Sequence, residues 1–293
     1  MKFSAVPFYR PPSNESACRE DGHFIDEKAG IVVVTDGVSE PYVGKPCDYG
    51  LGRSGGTVVS TIICNAVSGA KTPCDLLELL LEANTAVFHQ HASMGRDPAR
   101  QAVAGACVAA CQISEHEATF VVVGDAGVLW EDQEGSHFLT NFNTAAHVLE
   151  EAGNEFFEAC KHYAAMVGAQ PWGLYRPFFD AKQFYRANRH TEDCDGYHIP
   201  GRNGGHGMVN GNPAVQSCWT VKCINPSKVK WILLLTDGLL WRDFRPENHQ
   251  EVADAFNRGG LDALVKLRDG RDNQPHIQAK GWPEATAIVL MPK

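Results

Sequence analysis

Two segments of this chain share one form: an apolar run, then Thr, then Asp-Gly. They are Ile31–Gly37 (IVVVTDG) and Ile232–Gly238 (ILLLTDG), and Phe120–Ala126 (FVVVGDA) is a near copy. An aspartate that closes a buried strand can be aimed at a site with little loss of entropy, which makes Asp36, Asp125 and Asp237 candidate site residues. Carboxylates that converge without basic partners repel one another, and a bound divalent cation removes that repulsion. Hard oxygen donors select Mg²⁺ or Mn²⁺ over Zn²⁺, and no His-x-x-x-His or paired-cysteine spacing competes with them. The plain alternative stays open at this point, because Asp-Gly is also an ordinary turn dipeptide that ends strands.

The elements that must hold these aspartates follow from periodicity. Residues 1–15 read as a Pro-rich lead-in, and Ile31–Thr35 as a buried strand. Residues 40–56 read as loop, Thr57–Ala70 as a helix, and a second helix opens at Pro73 and carries His89 and His91 on its surface. Ala102–Ile113 and Ala118–Val123 form a hairpin around Ser114–Glu117, and Val128–Trp130 and Ser136–Leu139 turn at Gly135. Residues 144–170 are helical in part, and 171–215 are irregular enough to be an insertion or flap. Strands return at Gln216–Ile224 and Lys230–Thr236, helices at 247–258 and 260–268, and a last strand at Ala285–Leu290. Helices in pairs between groups of strands point to an α+β fold with mainly antiparallel sheets.

The chain has 293 residues, 44% of them hydrophobic, which suits one domain with a sizeable core. A formal net charge of -9 and the lack of a Lys/Arg stripe argue against a nucleic-acid partner. The ten cysteines include no C-x-x-C pair and read as free thiols, several of them buried. With no signal-peptide core and no long apolar run, the expectation is a cytoplasmic protein with no membrane segment.

The ordered set Glu20-Asp21, Thr35-Asp36-Gly37, Gly124-Asp125-Ala126, Thr236-Asp237-Gly238 and Ala285–Leu290 resembles the type 2C metal-dependent protein phosphatases, the PPM family, over about residues 19 to 290. That resemblance implies a central antiparallel β-sandwich flanked by helix pairs, in four layers (α-β-β-α), with two Mg or Mn ions at one end. Asp36 then bridges the ions, Gly37 offers its carbonyl oxygen, and Asp237 is a further ligand. Glu20 and Asp21 match the acidic pair that orients water around the ions, Asp21 counting among the metal and catalytic residues and Glu20 supporting them from behind, and Asp125 helps hold a weaker third ion. The implied reaction is hydrolysis of phosphoserine or phosphothreonine on a phosphoprotein substrate, by a hydroxide bridging the two ions and attacking in line.

The sequence also departs from that family. Pro283-Glu284 stands where an aspartate ligand opens the last strand, so Glu284 would have to serve, one residue late for strand alternation. The phosphate-binding arginine is missing from positions 16 and 17, which leaves Arg19 or Arg10 to stand in. Trp241 occupies a position that is often acidic. Ligands drawn from Asp269, Asp272 or the 190–210 loop would describe a divergent enzyme. A relative without catalysis, acting as a regulatory binding protein, is the alternative. A separate rival, a cysteine-dependent phosphatase, rests on the Cys-x5-Arg spacing of Cys47 and Arg53, although Gly44-Lys45-Pro46 before it is no buried strand.

Overall fold

The structure, a computed structural model, describes residues 3–13, 18–39, 49–50, 52–69, 74–100, 103–141, 144–171, 173–178, 207–241, 243–272 and 283–293. Its elements in chain order are β1 (Phe3–Arg10), β2 (Gly22–Asp26), β3 (Ile31–Val38), α1 (Gly55–Ser68), α2 (Leu76–Ser93), β4 (Gly105–Ile113), β5 (Ala118–Val123), β6 (Gly127–Glu131) and β7 (Ser136–Thr140). They continue with α3 (Thr144–Val167), β8 (Thr220–Ile224), β9 (Trp231–Leu235), α4 (His249–Arg271) and β10 (Ala285–Pro292). Two antiparallel sheets result, one in the order β1-β10-β9-β6-β7 and the other β2-β3-β4-β5-β8.

The apolar runs of the sequence explain the layering. Strand β3 is buried on both faces, so it reads as a continuous run without polar alternation. Val32 and Val34 join Cys107, Phe120, Trp130, Leu234 and Ile288 in a core between the sheets. Ile31 and Val33 point the other way, into a core with Ile63 of α1 and Leu80 and Val87 of α2. On the far side Leu233, Leu235 and Val289 pack on Val252 and Phe256 of α4, with Trp231 and Trp241 in the same core. Helix, sheet, sheet, helix is the four-layer α+β arrangement that the resemblance implied.

Capping sets the helix starts. Ser54 accepts from the Thr57 amide at 3.2 Å to open α1, and Asp75 accepts from the Leu77 amide at 2.7 Å to open α2. The expected opening residue, Pro73, lies outside the described residues. The two helices expected after 247 are one element broken at Gly259–Gly260, where Gly260 has φ 63°.

Two expectations need correction, and one strand, β2, had no counterpart among them. Residues 3–10 are not a lead-in but strand β1; Pro7 is tolerated because, among the described residues, β1 is an edge strand paired only with β10. Strand β2 carries no apolar alternation, and it pairs with β3 along Gly22–Asp26. His91 is fully buried, four residues after buried Val87 on the same helix face, and its Nε2 lies 3.0 Å from the Ala104 carbonyl. Of the irregular 171–215 segment, 179–206 lie outside the described residues, and so does Cys47. Among the described residues no helix is long and apolar enough to cross a membrane. Among the described residues Cys107, Cys111, Cys160 and Cys218 are buried, and the cysteines there are thiols.

Candidate metal centre

Strands β3 and β9 belong to different sheets, yet their Asp-Gly ends meet. Asp36 sits in β3 opposite Cys107 of β4, and Asp237 opens the short 3-10 turn Asp237–Leu239 after β9. Asp125 follows Gly124 (φ 81°) in the link where the chain passes from β5 of one sheet to β6 of the other. Burial, and then the carboxylates of Asp237, Asp21 and Asp125, hold the Asp36 carboxyl well above the usual carboxylate range, with Asp237 within hydrogen-bonding reach. Asp36 is partly buried and Asp237 is exposed, so the cluster opens to solvent on the Asp237 side.

Asp21 is buried, and its Oδ2 accepts from the Thr236 hydroxyl at 3.0 Å. Burial, followed by the Glu284 carboxylate beside it, pushes Asp21 up to about 7, against the pull of the Thr236 hydrogen bond. Glu20 is braced by the Ser39 hydroxyl, which itself accepts from the Gly56 amide at 3.2 Å. The Thr57 hydroxyl donates to the Arg19 carbonyl at 2.5 Å. The acidic pair is thus fixed against the start of α1. Glycine at 37 is required there: a Cβ would stand 2.4 Å from the Glu20 carbonyl oxygen and 2.7 Å from that of Gly56.

Glu284 lies at the other flank of the pair. Its Oε2 accepts from the amides of Glu20 (2.8 Å) and Asp21 (3.1 Å). Its own backbone rests on the second Asp-Gly, since a Cβ at Gly238 would fall 1.7 Å from the Glu284 carbonyl oxygen. Arg19 is exposed, donates from Nε to the Asp21 carbonyl at 3.2 Å, and lays its guanidinium 4.0 Å above the Tyr9 ring. Arg10 is committed elsewhere, to Asp269 at 2.8 Å.

Sequence reasoning missed Arg268. It is buried in α4, 3.4 Å from Asp269 and 3.7 Å from Asp272, and its charge reaches Asp237. Its place four residues after buried Leu264 was the available signal. Asp269 and Asp272 therefore belong to an arginine–carboxylate cluster.

The donors that converge are all oxygens, with a surplus of negative charge that raises the proton affinity of Asp36 and Asp21. That chemistry fits a hard divalent cation. Among the described residues, however, no three His, Cys, Asp or Glu side chains stand close enough to make a ready-made ion cage. Asp36 and Asp237 are the touching pair, and Asp21 and Asp125 act on Asp36 through their charge.

No family model matches the sequence, and no curated protein does. Solved structures do match. PppA, a key regulatory component of the T6SS in Pseudomonas aeruginosa, is 13% identical with TM-score 0.57, the match covering 99% of this chain and 98% of that one. The serine/threonine phosphatase PstP of Mycobacterium tuberculosis is 14% identical with TM-score 0.57 over the full length of both chains. The catalytic domain of PstP in complex with two manganese ions matches with TM-score 0.55 at 13% identity, over 99% of this chain and 97% of that one. At such identities the likeness is one of architecture: this chain has the fold of the type 2C serine/threonine phosphatases.

Proposed function

We propose that this chain is a metal-dependent phosphatase acting on phosphoserine and phosphothreonine in proteins. The observation that carries the reading is the meeting of Asp36 and Asp237, from different sheets, with Asp21 and Asp125 pressing on the same carboxyl. Its fold, shared with a phosphatase seen with two manganese ions, supports the reading.

Asp36 and Asp237 are the proposed cation donors, with the Gly37 carbonyl beside them and Asp21 and Asp125 completing the negative surround. When bound, two Mg²⁺ or Mn²⁺ ions would supply Lewis-acid activation of water and neutralise charge on the phosphoryl oxygens. The chain's own part is positional. Thr236 holds Asp21 by its carboxylate beside the cluster, and Ser39 holds Glu20. Arg19, exposed above Tyr9, offers the guanidinium donors that suit a phosphate.

One observation favours a second reading, a regulatory binding protein without turnover: Pro283 has no side-chain donor at the position where the resembled family places an aspartate. Phosphate release from a phosphothreonine peptide with added Mn²⁺ separates the two. The enzyme reading expects turnover that Asp36→Asn abolishes. Wild-type release no faster than that of the variant overturns it and leaves the binding role.

A further inference from the structure

Glu284 does something other than what its place in the sequence suggests. One oxygen, Oε2, is shared by two backbone amides, those of Glu20 and Asp21. The other, Oε1, is buried, and the Tyr9 hydroxyl lies beside the carboxylate. The peptide of Glu284 lies flush on Gly238, at a distance no Cβ would permit. The Thr286 amide, two residues on, donates to the Thr236 hydroxyl at 2.9 Å, the same hydroxyl that reaches Asp21. The start of β10 therefore joins the turn after β9 to the acidic pair through one carboxylate and one hydroxyl. Arg19 is drawn into the same unit, because its Nε donates to the Asp21 carbonyl and its guanidinium lies on Tyr9, whose hydroxyl neighbours Glu284.

We infer that Glu284 is a positioning residue, a clasp on the backbone of residues 20–21 that sets the reach of the acidic pair and of Arg19, and not a cation ligand. Its negative charge beside Asp21 is a cost that an apolar residue would avoid. What the carboxylate contributes in return is a single acceptor for two adjacent N–H groups, a charge-assisted arrangement stronger than a neutral one. The inference rests on the proposed function for what the pair serves, but the clasp itself does not depend on any ion.

Hydrogen–deuterium exchange in the metal-free protein reads the clasp directly. Glu284→Ala should speed exchange of the Glu20 and Asp21 amides at least about tenfold while the strands of both sheets keep their protection. Glu284→Gln, which retains an acceptor oxygen, should restore most of it, and it is also the variant to read if Glu284→Ala does not fold. Mn²⁺ titration by calorimetry should leave Glu284→Gln within about tenfold of wild type, the scale of a residue that supports ligands, and the phosphopeptide KM should rise in Glu284→Ala through the loss of Arg19's anchorage. Unchanged exchange at residues 20–21 in a folded variant overturns the inference. So does a Glu284→Gln protein that loses Mn²⁺ as completely as Asp36→Asn, which would make Glu284 a ligand. If Asp36→Asn binds Mn²⁺ like wild type, the metal reading fails while the exchange result on Glu284 still stands.

Discussion

Asp36 of β3 and Asp237, in the turn just after β9 of the opposite sheet, hold their carboxyl groups within hydrogen-bonding reach of each other. Two ionised carboxylates do not settle at that separation without either a proton or a cation between them. Asp237→Asn should therefore weaken Mn²⁺ binding by more than about a hundredfold, beyond what a supporting residue costs, and lower phosphatase activity nearly as far as Asp36→Asn. Calorimetric titration of the two variants checks this; an Asp237→Asn protein with wild-type affinity removes Asp237 from the site.

The same crowding makes the metal-free protein pH-sensitive. Asp21 is raised to about 7 and Asp36 is raised well above its ordinary range. A carboxyl with a raised folded-state pKa binds its proton more tightly in the folded than in the unfolded chain. It therefore favours folding most at pH below the unfolded value, and that support is lost as pH rises through the folded value. In EDTA the thermal midpoint should fall between pH 5 and pH 8, and Mn²⁺ should restore it, with the larger gain at pH 8. A midpoint that rises with pH in EDTA would contradict the carboxylate cluster.

Gly37→Ala should destabilise the fold by about 1–3 kcal/mol through overpacking. The new methyl would stand 2.4 Å from the Glu20 carbonyl oxygen and 2.7 Å from that of Gly56, both backbone atoms. Urea unfolding measures the change, and a midpoint equal to wild type would mean that the end of β3 does not touch the start of α1.

Arg268→Ala should cost about 3–5 kcal/mol, because it removes the buried guanidinium that faces buried Asp272, while Asp269 keeps Arg10. Arg268→Met, which keeps more of the side-chain volume, should cost no less if charge is what matters. Denaturant midpoints for the pair decide between charge and packing.

Cys47→Ser should leave phosphatase activity unchanged, since the proposed chemistry uses no thiolate. Loss of turnover in that variant would revive the cysteine-dependent mechanism suggested by the Cys47–Arg53 spacing.

Much of this was legible in the sequence because buried strands announce themselves. The runs before Asp36, Asp125 and Asp237 are continuous apolar stretches, and the hairpin between β4 and β5 turns where Ser114–Glu117 predicted it. The edge strands were harder. Strand β1 carries Pro7, and β2 is only partly buried, so neither shows the pattern that burial imposes on β3 and β9. In the candidate site the aspartates could be named from their strands, whereas Arg268 and the amide contacts of Glu284 depend on which segments fold together. A residue that binds backbone leaves no trace of its partner's identity in the sequence.

The pairing of β1 with β10 joins Phe3 to Pro292 and Arg10 to Ala285. During folding the residues of β1 must wait, with no other described strand beside them, until β10 has docked. Glu20 and Asp21 wait with them, since the carboxylate that grips their amides arrives only at position 284. Until then all four aspartates are in place while the Glu20 and Asp21 amides lack their acceptor, their side chains held by Ser39 and Thr236. Exposure of β1 together with the Glu20 and Asp21 amides would thus mark a molecule in which β10 has not yet docked.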